Sequence, residues 1–364
     1  MDELPLSRLV AAFVLTLCGL VATTSPVAAH VKYVSDGGDP VDAIRFLSET
    51  ASNPTNVAVL GVGTLVVIVG IGLYLRYRPI ASDIALLRAT LSEYEDLLPW
   101  LLRLSIGLPL VGAGFAGYYF SPLVPAPTRL FEVAVGFLLL FGLATRFTAG
   151  VGLAGYLVGL AFRPELLLAA EYVPGFIAII LLGGGRPSAD HVLARIAASD
   201  GTLYGRFDPI YRQVSVPFAT RIESYTQFVP TILRVGLGFT FFYLGFTQKL
   251  MNPGDALAVV AQYDLTAVVP VSPELWVVGA GLVEMAVGAA LFVGVFTRAS
   301  AGVAFIMFTL TLFGLPNDPV LAHISLFGLV SVLLVTGAGP FALDTRLQTM
   351  EMKRQQRAAE ETST

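Results

Sequence analysis

Charge is scarce in this chain. Asp, Glu, Lys and Arg make up 13% of its 364 residues, about half the share found in soluble globular domains. With 55% apolar residues and a mean hydropathy of +0.75, too few polar side chains remain to cover a water-facing surface of this size. A soluble globule is excluded, and an all-α polytopic membrane protein in a lipid bilayer is expected. Cysteine occurs once, as Cys18, which excludes intrachain disulfides, cysteine-ligated iron–sulfur clusters and haem attachment through CxxCH. The three histidines, His30, His191 and His323, are far apart, and only His323 falls in an apolar span, so a bis-histidine haem within the bilayer is excluded too. His30 has no His, Cys or Met near it in the 30–55 segment, and no metal site is expected. The net charge of −4 carries no basic patch, which sets nucleic acid aside. No covalent cofactor is expected, and any redox role must use a diffusible or non-covalently held carrier, or a partner subunit.

Apolar sequence is plentiful. Residues 9–29 form a first apolar stretch ending in Ser25-Pro26-Val27-Ala28-Ala29, which reads as a signal peptide over 1–29, or as a retained first helix. A short extracytoplasmic segment, 30–55, follows. Nine further windows are long enough to span hydrocarbon, near 56–75, 99–120, 128–145, 148–163, 168–184, 229–250, 275–296, 299–315 and 320–337. With 30–55 outside, sixteen Lys and Arg fall inside and five outside, as the positive-inside rule requires. The expected location is a cell membrane, with the mature N-terminus outside and a polar tail, 346–364, in the cytoplasm. Residues 56–98 add an inner-surface helix to the first of these spans. Its stripe of Ile84, Leu87, Leu91, Tyr94 and Leu98 suits a membrane surface or a partner.

The rest of the chain repeats itself. At an offset of 131, Pro99, Leu102, Arg103, Gly107, Gly114, Phe115 and Pro122 recur as Pro230, Leu233, Arg234, Gly238, Gly245, Phe246 and Pro253. At an offset of 152, eleven of the twenty positions from Glu132 to Val151 recur identically from Glu284. Both segments close on Gly-rich turns followed by Asp190 and Asp344. Two parallel four-helix repeats are expected, over 99–191 and 229–345, joined by an inner loop at 192–228.

The pattern Arg234, Gly238, Gly245-Phe246, Lys249-Leu250, then Glu284, Gly288, Gly294, Thr297-Arg298, Ala301-Gly302, closing on Asp344, resembles the DoxX family of four-helix membrane proteins in a duplicated form. The resemblance implies an integral membrane component linked to redox chemistry, as in the quinone-linked DoxD/DoxX subunits of thiosulfate:quinone oxidoreductase. The first repeat has Gly117-Tyr118-Tyr119 where the second has Gln248-Lys249-Leu250, so the second is the expected host of a site.

The residues singled out are ionisable groups inside spans. Glu284 lies 14 residues before Arg298, about 21 Å along a helix, which puts it in the outer half of the membrane. Lys249, 15 residues after Arg234, reaches the same level, and a Lys249–Glu284 pair is expected, either as a proton and carbonyl site or as a register-fixing ion pair. His323, with Glu171 at the matching offset of 152, places an ionisable group at that level in both repeats. These give a catalytic set of Glu284, Lys249 and His323, with Glu132, Glu171 and Tyr243 as residues that bind a cofactor, a quinone being the expected one. Arg103, Arg146, Arg234 and Arg298 read as headgroup anchors at inner helix ends. The leading function is a membrane subunit of a quinone-linked redox system, one that oxidises sulfur compounds being the kind the resemblance implies, with a redox partner subunit. A proton-coupled small-solute transporter and a non-catalytic scaffold or assembly factor are the alternatives.

Overall fold

The computed structural model describes residues 38–126, 129–207, 211–315, 320–347 and 349–350. The signal-peptide reading, Cys18, His30 and most of the polar tail lie outside the described residues. The fold is all-α and polytopic, with one small β-hairpin. Among the described residues six helices are long and apolar enough to cross a membrane, and three shorter apolar helices accompany them.

A short amphipathic helix, α1 (Ala43–Ser52), leads into α2 (Pro54–Tyr77), which is capped by the Asn53 side chain accepting from Thr55 N at 3.0 Å. The apolar window of α2 buries no residue, and the helix touches the body only near its start, through buried Asn56 and through Leu60. Helix α3 (Ala81–Ser92) follows, with Leu91 packed on the body while Leu87 and Tyr94 are exposed. The expected surface stripe is therefore split, Leu91 and Leu98 turning inward, Ile84 half-buried, and Leu87 and Tyr94 exposed.

The first four-helix set comprises α4 (Leu98–Ala116), α5 (Leu130–Phe141), α6 (Thr145–Phe162) and α7 (Tyr172–Leu182). Helix α8 (Ala189–Ala198) follows it on the inner side. The second set comprises α9 (Val229–Leu244), α11 (Pro273–Val293), α12 (Thr297–Gly314) and α13 (Val320–Thr336), with α10 (Pro253–Gln262) inserted after α9. In the first set the expected spans at 128–145 and 168–184 are helices of only 12 and 11 residues. Twelve residues of helix cover about 18 Å, short of the hydrocarbon thickness. The missing outer ends are replaced by the hairpin β1 (Tyr118–Tyr119) with β2 (Ser121–Pro125), and by a 3₁₀ stretch, Pro164–Ala169.

Both sets make the same helix contacts. The first helix packs on the second, the second on the third, the third on the fourth and the fourth back on the first. Glycines allow the first two helices to touch through their backbones. A Cβ on Gly107 would lie 3.0 Å from Gly136 O, and one on Gly238 would lie 2.7 Å from Gly288 O.

At the end where the third helices begin, Asp190 accepts from Ala144 N at 2.6 Å and Thr145 N at 2.8 Å, while Asp344 accepts from Phe296 N and Thr297 N, both at 2.9 Å. Each aspartate thus caps the third helix of its set from beyond the fourth. The chain enters both third helices through a left-handed non-glycine residue, Ala144 (φ 48°) and Phe296 (φ 50°).

The arginines differ from expectation. Arg103 and Arg234 are buried, and Arg234 donates to Phe292 O and to Ala338 O at 2.5 and 2.9 Å. Arg146 donates to Ile180 O at 3.0 Å, and Arg298 to Leu334 O and Val335 O at 2.9 and 2.8 Å. Rather than reaching for headgroups, Arg146, Arg234 and Arg298 satisfy carbonyls at helix C-termini, while Arg103 donates to the loop carbonyl of Pro187.

The two sets meet along a seam where each first helix packs on the fourth helix of the other set. A Cβ on Gly328 would meet Ser105 Oγ at 1.6 Å, and one on Gly236 would meet Pro174 Cγ at 2.4 Å. Leu102, Ile106, Leu233, Leu237, Phe176 and Leu329 fill the centre of one continuous apolar core.

Candidate functional site

The close approach of α9 and α11 continues outward past Gly245 and Gly281. A Cβ on Gly245 would lie 2.9 Å from Gly281 O and 3.1 Å from Glu284 Cβ. Beyond Leu244 the helix widens over Gly245–Leu250, and Met251 N donates to Phe246 O, five residues back, at 2.9 Å. Such wide turns rotate the side chains that follow them and occur often at functional sites. Here the turn aims Lys249 across the glycine contact, and its Nζ donates to Glu284 Oε2. The expected pair is formed. It is not sealed, since the Lys249 side chain keeps 29% of its exposure and that of Glu284 keeps 11%.

An outer layer lies beside the pair. Phe46 of α1 and Val260 of α10 pack with Leu250, Val277 and Val278, and Gly38 N donates to Asp255 Oδ1 at 3.0 Å. These contacts tie the segment before α2 to the insertion after α9.

The other predicted residues are placed differently. Tyr243 is buried and stacks on Phe239 at 5.8 Å between ring centroids, beside Leu168 and Leu123 of the first set. It faces the seam, because the six residues separating it from Lys249 include the widened turn. His323 is buried with its ring edge-on to Phe308 at 6.0 Å.

The offset of 152 between Glu171 and His323 also needs correction. In the fourth helices the matching features, Gly183 with Gly337 and Asp190 with Asp344, are 154 apart, as are Leu181 and Val335, which accept from Arg146 and Arg298. Glu171 therefore matches Ser325, and it is Ser325 Oγ that donates to Glu171 Oε1, at 3.1 Å across the seam.

Glu171 lines a chamber that sequence reasoning did not find, and Glu132 is buried in the same four-helix set without lining it. Phe120 stands at its centre, with ring centroids 4.8 Å from Tyr119, 5.2 Å from Tyr156 and 5.0 Å from Tyr172, all edge-on. Its backbone is left-handed (φ 54°), a conformation uncommon for a bulky residue, and the hairpin holds it there. Tyr119 and Tyr156 donate their hydroxyls to Gly155 O and Leu166 O, each at 2.6 Å. Glu132, in the first turn of α5, is wholly buried with neither carboxylate oxygen hydrogen-bonded, and Glu171 Oε2 also lacks a partner. A cavity of about 20 Å³, enough for one water, lies beside Glu171 and is lined by Tyr118, Phe120, Ser121, Tyr172 and Leu244. The run Tyr118-Tyr119-Phe120 was a visible signal, but only the hairpin reveals that it folds inward.

With this geometry in place, the comparison with known families is informative. Residues 229–324, from the start of α9 into α13, match the DoxX family model. The chain carries a DoxX domain. No curated protein and no solved structure matches the chain. The Lys249–Glu284 pair, the glycine contacts that set it and the widened turn all lie within the DoxX domain, as do Tyr243 and His323. Glu132 and Glu171 lie outside the matched residues.

Proposed function

We propose that this DoxX protein is a membrane subunit of a quinone-linked redox system, with Lys249 and Glu284 as its working groups. The observation that carries the reading is the Lys249–Glu284 pair itself, an ammonium and a carboxylate in the outer half of an apolar bundle that retain access from outside. Such a pair suits a quinone head, which offers carbonyl oxygens that accept hydrogen bonds and that take up or release protons. A bound quinone would supply a two-electron, two-proton couple. Lys249 orients one carbonyl oxygen by donating to it, and Glu284 holds or releases a proton at the oxygen it faces. The exposed apolar faces of the helices give a lipid-borne ligand its route. The electrons come from a redox partner subunit.

In this reading the first four-helix set is a second copy of the DoxX unit that has kept the frame and lost the pair, since Tyr118 stands where Lys249 does. The repeated helix contacts and the two aspartate caps support that origin. The mature N-terminus is outside and the tail cytoplasmic, by the distribution of Lys and Arg.

The test is the quinone content of protein purified gently from its own membranes, by solvent extraction and chromatography, comparing wild type with Glu284→Gln. Near-stoichiometric quinone that is lost in the variant is the expected result. A folded preparation without quinone in either sample overturns the reading and favours transport or assembly.

A further inference from the structure

The first set carries an uncompensated charge problem that the second set has solved. In the second set Glu284 meets the ammonium of Lys249. At the corresponding register positions, 152 and 131 residues earlier, the first set has Glu132 and Tyr118. The carboxylate is kept and its cation is replaced by a phenol. A second carboxylate, Glu171, is added close by, and both act electrostatically on the Tyr172 hydroxyl. Three of their four oxygens have no hydrogen-bond partner. No Lys or Arg lines the cavity. A bare carboxylate in such surroundings is costly unless something pairs with it.

The cavity lies where that partner is missing. Tyr118, at the Lys249 position, forms one wall, and Glu171, only 4% exposed, forms another with its free Oε2. Tyr172 and Ser121 add hydroxyl oxygens. About 20 Å³ gives room for one body the size of a water molecule. We propose that this chamber binds one small monovalent cation, of sodium, potassium or ammonium size, which takes the place in the first set that the Lys249 ammonium takes in the second. Carboxylate and hydroxyl oxygens coordinate it. Because Glu171 also accepts from Ser325, the ion sits at the seam and helps to hold the two sets together.

The test uses the full chain in lipid nanodiscs. Its melting temperature is measured in sodium, potassium, ammonium and choline chloride at constant ionic strength, choline serving as the bulky quaternary control. A saturable rise with at least one small cation and none with choline is expected. Glu171→Gln should abolish the rise, Glu132→Gln should raise its midpoint concentration about tenfold, and Glu284→Gln should leave it unchanged. Identical melting in all four salts would overturn the proposal and leave the carboxyls as neutral acids. A rise that survives Glu171→Gln would equally overturn it. Equilibrium binding of radioactive sodium and rubidium to the wild type needs no variant, and one site per chain is expected for one of them. Absence of both, together with no effect of ammonium on melting, rejects the site.

Discussion

Ser325 Oγ donates to Glu171 Oε1 at 3.1 Å, and the two residues occupy matching sequence positions of the two four-helix sets, Glu171 at the N-terminal cap of α7 and Ser325 within α13. The seam thus brings a position face to face with its own counterpart, as a pseudo-two-fold axis along the membrane normal requires. A carboxylate opposite a second carboxylate would repel it, and a serine opposite a serine would leave the level without charge. Ser325→Ala is expected to remove one bond to a buried carboxylate, lowering stability by about 1.5–3 kcal/mol. Reversible unfolding of the full chain in mixed micelles measures it.

The Lys249–Glu284 pair should behave as a coupled unit. Glu284→Gln and Lys249→Met each leave a partly buried charge unpaired, whereas the double variant leaves none. A double-mutant cycle should return a coupling of about 1–3 kcal/mol in stability. Additive losses would mean that the two groups act separately.

The backbone contacts at glycine predict a sharp contrast between helices. Gly288→Ala places a Cβ 2.5 Å from Phe242 N and 2.7 Å from Gly238 O, so the helices must part, at about 1–3 kcal/mol or more. Gly63→Ala and Gly70→Ala in α2 meet nothing within 4 Å and gain helix propensity, so they should be neutral or stabilising by up to about 1 kcal/mol. The same unfolding measurement separates the two outcomes. Destabilisation in α2 would show that its free face is covered in the membrane.

Arg298→Lys should fail to rescue what Arg298→Ala destroys. The guanidinium serves Leu334 O and Val335 O with two nitrogens at once, and a single ammonium does not reproduce that fork. Both variants should lose about 1–3 kcal/mol through carbonyls left unbonded in hydrocarbon. A lysine variant as stable as wild type would return Arg298 to the role of a headgroup anchor.

Much of this architecture was legible from residue spacing. The glycines at matching offsets are the backbone contacts, and Lys249 with Glu284 follows from counting helix rise outward from Arg234 and Arg298. What spacing did not reveal depends on departures from regular helix. The widened turn at Gly245–Leu250 turns Tyr243 toward the seam while Lys249 meets Glu284. Two residues of extra length before α13 move the partner of Glu171 from His323 to Ser325. The hairpin at 118–125 occupies apolar sequence that has the composition of a span, and it builds the aromatic chamber. The arginines sit where the positive-inside rule puts them, but composition does not distinguish a headgroup from a helix carbonyl as the acceptor.

The aspartate caps also impose an order on biosynthesis. Two backbone donors at the start of α6 wait for Asp190, about 45 residues later in the chain, and those of α12 wait as long for Asp344. At about 5–20 residues per second the ribosome needs some 2–10 seconds to deliver each one. The first set can therefore latch before the second begins to emerge, and it offers a finished wall against which α9 inserts. The second set latches only once Asp344 has been made, so a nascent chain that stalls before it leaves that set, which holds the Lys249–Glu284 pair, open at the end where α12 begins.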